Sequence, residues 1–85
     1  MAGKKKDDDF SFEILEHYEN LTEKTDKNWQ RQLNLVSWNG GEAKYDIRDW
    51  HIDENGKPDR CGKGISLTYE EMCLVCQAGY DKGLC

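Results

Sequence analysis

Trp38, Trp50, Lys44 and Arg48, with Trp29, Arg31 and Lys63 near them, are the richest mixture of aromatic and cationic side chains in the sequence. Exposed rings stack on unpaired nucleobases at about 1–3 kcal/mol per base, and interleaved Arg and Lys neutralise phosphates. That chemistry suits a single strand and not a duplex, whose bases already stack on one another. The same tryptophans would equally serve to fill a core or a dimer interface, and pattern leaves both readings open.

Cys61, Cys73, Cys76 and Cys85 form a second constellation. A C-x-x-C pair with two further thiols has the composition of a tetrahedral zinc site, but the remaining spacings fit no zinc pattern. Reduced thiols acting as small hydrophobes are the expectation, with neither metal nor cofactor. His17 and His51 are the two histidines, and their spacing suggests no nucleophile and base arrangement. Asp46, Asp49, Asp53 and Glu54 alternate faces or fall in a loop, so paired acid and base work is unsupported. Gly62-Lys63-Gly64 is too short for a phosphate-binding loop. No enzyme is expected.

The elements that must position these residues can be read from period and punctuation. Phe10, Phe12 and Ile14 alternate with Ser11 and Glu13, which predicts a strand reaching about Tyr18 or Leu21. A second strand spans Trp29 to Trp38, with Leu33 and Leu35 on one face and Gln30, Gln32, Asn34, Val36 and Trp38 on the other. Asn39, Gly40 and Gly41 supply the positive φ of a tight hairpin. A third strand, Ala43 to Ile52, directs Tyr45 and Ile47 to the core and Lys44, Asp46, Arg48 and Trp50 to an outer face. After a loop or long hairpin connection over Asp53 to Gly62, a short fourth strand covers Gly64 to Leu67. Thr68-Tyr69-Glu70-Glu71 matches a capping box, so a helix begins there, with Met72, Val75 and Cys76 on its apolar stripe and Gly79 as its expected end. The fold class is α+β: a four-stranded antiparallel sheet followed by one C-terminal helix, leaving one sheet face open.

With 85 residues the chain holds one domain, and a domain of this size buries about 60% of its unfolded surface, so a second subunit is expected to help. Residues 1–9 are expected to be a disordered charged arm, 10–80 the domain and 81–85 a short tail. Hydrophobic residues make up 36% and charged residues 34%, too polar for a membrane protein, and cytoplasmic localisation is expected. The net charge of −5 argues against nucleic acid, but the acid concentrates at the two ends. The middle of the chain is nearly neutral and holds all three Trp.

Tyr45-Asp46-Ile47-Arg48-Asp49-Trp50, followed after the loop by Gly62-Lys63-Gly64-Ile65-Ser66-Leu67-Thr68, resembles the transcriptional coactivator family of positive cofactor four. Trp29, Leu33-Asn34, Val36-Ser37-Trp38-Asn39 and the Tyr-Asp-Ile-Arg run are most similar to its bacterial YdbC-like branch. The resemblance runs over Phe10 to Gln77. It implies a homodimer built largely through the helices and sheet-surface grooves that bind single-stranded DNA with little sequence preference. Carried onto this chain, it makes Arg48 and Lys63 DNA contacts, places Trp50 or His51 as a stacking partner, and puts Trp38 and Asn39 at a DNA-contacting strand end. The expected nucleic-acid-binding set is Arg31, Gln32, Asn34, Trp38, Asn39, Lys44, Arg48, Trp50 and Lys63. Gly62 and Glu42 stand where the coactivator branch has basic residues, which implies weaker phosphate attraction. The partner expected is single-stranded DNA, with RNA as a competing ligand, in transcription, replication or repair. The alternative is a protein-interaction module that docks an extended peptide or a polymerase subunit on the open face.

Overall fold

A computed structural model of the chain describes residues 11–84. The expected arm over residues 1–9 lies outside the described residues. Four strands, β1 (Phe12–Asn20), β2 (Trp29–Trp38), β3 (Ala43–Ile52) and β4 (Pro58–Leu67), precede one helix, α1 (Tyr69–Asp81). The strands form one antiparallel meander in the order β1-β2-β3-β4.

The turns follow from local chemistry. Asn39 (φ 53°) and Gly40 (φ 74°) form a two-residue hairpin connection closed by Gly41 N–H donating to the Trp38 carbonyl at 2.9 Å. Successive positive φ values match the twist of the flanking strands. Between β3 and β4, Asp53 Oδ1 accepts from the backbone N–H groups of Asn55 and Lys57, and Gly56 supplies φ 82°. That compact turn ends at Lys57, so β4 starts at Pro58 and is longer than the Gly64 to Leu67 segment expected. Proline is tolerated there because β4 is an edge strand and Pro58 is its first residue.

The register puts Phe12, Ile14, Val36, Trp38, Trp50 and Ile52 on one face and Leu33, Leu35, Tyr45 and Ile47 on the other. Alternation therefore groups the residues as the sequence indicates, but the tightly packed face is the opposite one. Val36, Trp50 and Ile52 are the buried core, and Phe12, Ile14, Trp38 and Cys61 pack against it. Tyr45 and Ile47 are half-buried. The physical reason is curvature. Trp38 sits at one end of β2 and Trp50 opposite its other end, yet their rings meet at 6.1 Å, so the sheet curls that face inward over itself. Irregularities at Ile14/Glu16 and His17/Glu19 in β1 and at Arg48/Trp50 between β3 and β4 increase the local twist.

Helix α1 begins as its capping box dictates: the Thr68 hydroxyl accepts from Glu71 N–H at 3.1 Å, and Glu71 Oε1 accepts from Thr68 N–H at 2.9 Å. It runs past Gly79, which is buried, to Asp81, and Gly83 takes the left-handed conformation (φ 73°) beyond its end. The helix lies on the Tyr45 side of the sheet, bordering an open groove of about 600 Å³ lined by Tyr45, Tyr69, Met72, Cys73, Cys76 and Tyr80. Val75, expected on the inward stripe, is instead 51% exposed. The groove-facing positions recur from Tyr69 through Met72, Cys73 and Cys76 to Tyr80, which rotates the stripe away from Val75. Hydrogen bonding to the Cys73 sulfur, and the negative charge that this sulfur carries when ionised, raise the pKa of the Tyr69 hydroxyl.

Candidate nucleic-acid interface

The curled face holds the site. Trp38, at the end of β2, lies parallel to Trp50 of β3, the two planes differing by 6°. Phe12 of β1 leans on both rings, at 6.1 Å from Trp38 and 4.8 Å from Trp50. Trp50 has no exposed surface, so the expectation that it stands open beside cations is corrected: it is the floor beneath Trp38 and not a platform of its own. Its indole N–H finds no acceptor among the described residues.

Arg48 and Asp46 are two residues apart on β3 and so share this face. The guanidinium carbon of Arg48 lies 4.8 Å from the Trp38 ring centroid. Arg48 Nε donates to both Asp46 carboxylate oxygens at 3.0 and 3.2 Å, and Nη2 donates to Oδ2 at 2.9 Å. Its remaining Nη1 donates to the Gly62 carbonyl at 3.0 Å. Asp46, itself fully buried, accepts a further bond from Ser66 Oγ at 2.7 Å, and Ser66 Oγ accepts from Trp38 Nε1 at 3.0 Å. A burial this complete is tolerable for a carboxylate because a bidentate guanidinium and a hydroxyl satisfy it. Arg48 was expected to meet phosphate with a free charge, whereas that charge is already balanced by Asp46.

Trp38, Arg48, Cys61 and Ser66 line an open groove of about 360 Å³. Lys44 adjoins it, sharing a neighbouring hollow with Trp38, Ser66 and Glu42. Lys44 and Lys63 are exposed, and no ion pair among the described residues engages either of them. They are the cations of the expected set left with charge to offer.

The other expected residues divide by burial and bonding. Asn34 is fully buried and Gln32 nearly so, and they form a chain along β2 in place of a surface. Asn34 Oδ1 accepts from His17 Nδ1 at 2.6 Å, Asn34 Nδ2 donates to Gln32 Oε1, and Gln32 Nε2 donates to Gln30 Oε1. The expectation of direct contact from these two amides is therefore corrected: the inward curl that buries Trp50 buries them as well. Asn39 is exposed at the hairpin, where its side chain accepts from Ser11 N–H at 2.8 Å. Arg31 lies on the opposite face and is paired with Asp49 at 2.9 Å. Beyond them on that face Trp29 meets His51 edge-on, Arg60 lies 5.7 Å over the Trp29 ring, and His51 contacts Asp59.

Asp46 and Ser66 were missing from the expected set. The Asp-x-Arg spacing on one strand face signalled the first; the pairing of Ser66 with Asp46 depends on the β3/β4 register and has no short-range signal. Among the described residues Cys61, Cys73 and Cys76 are free thiols, and no three candidate metal ligands converge. Cys85 lies outside the described residues.

Comparison with known proteins bears on the same segments. The family model of transcriptional coactivator p15 (PC4) matches residues 25–78, from the turn before β2 well into α1. An uncharacterized protein of Treponema pallidum (strain Nichols) is 36% identical over 68 residues, covering 80% of this chain and 74% of the relative. With β2, β3, β4, most of α1 and both sequence blocks inside the matched region, the chain belongs to the transcriptional coactivator p15 (PC4) family.

Proposed function

We propose that the protein is a homodimeric, non-enzymatic single-stranded DNA-binding protein that contacts unpaired bases through the curled face of its sheet. The family to which it belongs is one of nucleic-acid binding and transcription coactivation. The observation that carries the reading is the stack of Arg48 on Trp38, seated on Trp50, which borders an open groove beside Lys44, a cation that no ion pair among the described residues engages. A stacking surface flanked by cations is what a flexible strand needs, and it reads no particular sequence because every base offers a π-face. Trp38, Arg48, Lys44 and Lys63 carry the binding in this proposal. Trp50, Gln32 and Asn34 support it from beneath, and Asn39 holds the hairpin that presents Trp38. A YdbC-like role in transcription, replication or repair in the cytoplasm is part of the same proposal. No described helix is long and apolar enough to cross a membrane.

The dimer is proposed from the other face. Tyr69 and Tyr80, which line the apolar groove beside Tyr45, are more than half exposed, as are Val75 on α1 and Ile65 on β4. A protomer this small gains a second core by covering that surface with a copy of itself.

The test is a tryptophan-fluorescence titration with an oligothymidine strand and with matched duplex, at low and moderate salt. Quenching by the strand that weakens as salt rises, with little response to duplex, is the expected result. An unchanged signal with both, in folded protein, rejects DNA and favours the alternative in which the face docks an extended peptide.

A further inference from the structure

We infer that Arg48 serves the binding face as a flat plate and not as a free positive charge, and that Asp46 and Ser66 are the positioning residues that hold it there. The inference rests on the single-strand reading and concerns how the groove recognises its ligand.

The geometry is specific. Asp46 is fully buried and holds Arg48 through three hydrogen bonds, so the guanidinium plane is locked to the carboxylate plane. Ser66 links the same carboxylate to the indole N–H of Trp38. One buried group therefore sets the orientation of both the ring and the plate that lies 4.8 Å from its centroid. The pair Arg48 and Asp46 carries no net charge, and the Arg48 side chain keeps 17% of its surface exposed to the groove. A phosphate would have to compete with a carboxylate already in bidentate contact. A nucleobase would not, because stacking on a guanidinium uses its face and leaves its in-plane donors where they are. Lysine cannot substitute in this role, since an ammonium has no plane.

The inference separates contributions that a charge-only groove would combine. Affinity from phosphates falls with salt at about 0.7 logarithmic units per neutralised charge for a single strand, whereas stacking is nearly independent of salt. Lys44 beside this groove, with the exposed Lys63, sets the salt slope, and Trp38 with Arg48 sets the affinity for bases.

The experiment measures binding of the full chain to oligothymidine and to an abasic strand of equal length across a salt series, with thermal melts confirming that each variant is folded. Arg48→Lys is expected to lose about tenfold or more in affinity for oligothymidine, with an unchanged salt slope and unchanged binding to the abasic strand. Asp46→Asn keeps an acceptor for Ser66 but releases the guanidinium charge, so its slope should steepen by about 0.7 and its abasic binding should rise. Ser66→Ala, which buries no new charge, should weaken oligothymidine binding without touching the slope. Arg48→Lys with wild-type affinity, or Arg48→Ala with a slope shallower by about 0.7, overturns the inference while leaving single-strand binding intact. A wild-type protein that binds neither strand overturns the parent reading and this one together.

Discussion

Gly64 has no room for a side chain. A Cβ built on it would press into the Ile47 carbonyl oxygen and the backbone of Arg48, well inside van der Waals contact. The crowding is with rigid backbone beside the register shift at Arg48/Trp50, so no rotamer change relieves it. Gly64→Ala should destabilise the fold by at least the upper end of the usual 1–3 kcal/mol for overpacking, about 3 kcal/mol, measured by denaturant midpoint. Gly62 has a related but softer role. A Cβ there would lie 2.9 Å from the Trp29 ring, so the missing basic residue at this position reflects the space β4 yields to an indole. At this scale the sequence discloses which residues share a face, because alternation is a backbone property. It does not disclose that Trp50 and Asn34 are sealed, since that depends on how far the sheet curls and on where the Trp38 side chain comes to rest.

Helix α1 is held by its start more than by its packing. Most of its residues are exposed, so the reciprocal Thr68 and Glu71 bonds supply a larger share of its stability than a cap does in a buried helix. Thr68→Ala should cost about 1 kcal/mol and lower the melting temperature by about 4–8 °C, while Thr68→Ser should recover most of the loss, as calorimetry would show. The limits of β2 and β3 and the start of α1 are legible before any coordinates because each is marked by residues with local chemistry: Asn39 and Gly40 at positive φ, Thr68 with Glu71 across one turn. The start of β4 is not. Pro58 through Gly62 read as loop by composition, and they become strand because β3 offers them partners and the edge position forgives the proline. The irregularities in β1 are equally silent in sequence.

At the scale of the molecule the two faces differ: the curled one is packed and holds Arg48 with Lys44 beside it, while the other, under α1, leaves apolar surface in water. Tyr80 lines the groove on that second face and is 81% exposed, so replacing it removes little from an isolated protomer. Tyr80→Glu should convert the proposed dimer to monomer in sedimentation equilibrium, with the melting temperature losing its dependence on protein concentration. The two outer strands bear on how such a protomer avoids unwanted growth. Each sheet edge offers unpaired backbone groups to any passing chain, which is the usual start of fibrils. Here β1 carries Glu13, Glu16 and Glu19 and two breaks in register, and β4 opens with a proline and is interrupted twice. Neither rim is a straight, neutral template. Sideways extension into an endless ribbon is thereby discouraged, and the surface left for self-association is a broad face that one copy can cover and close.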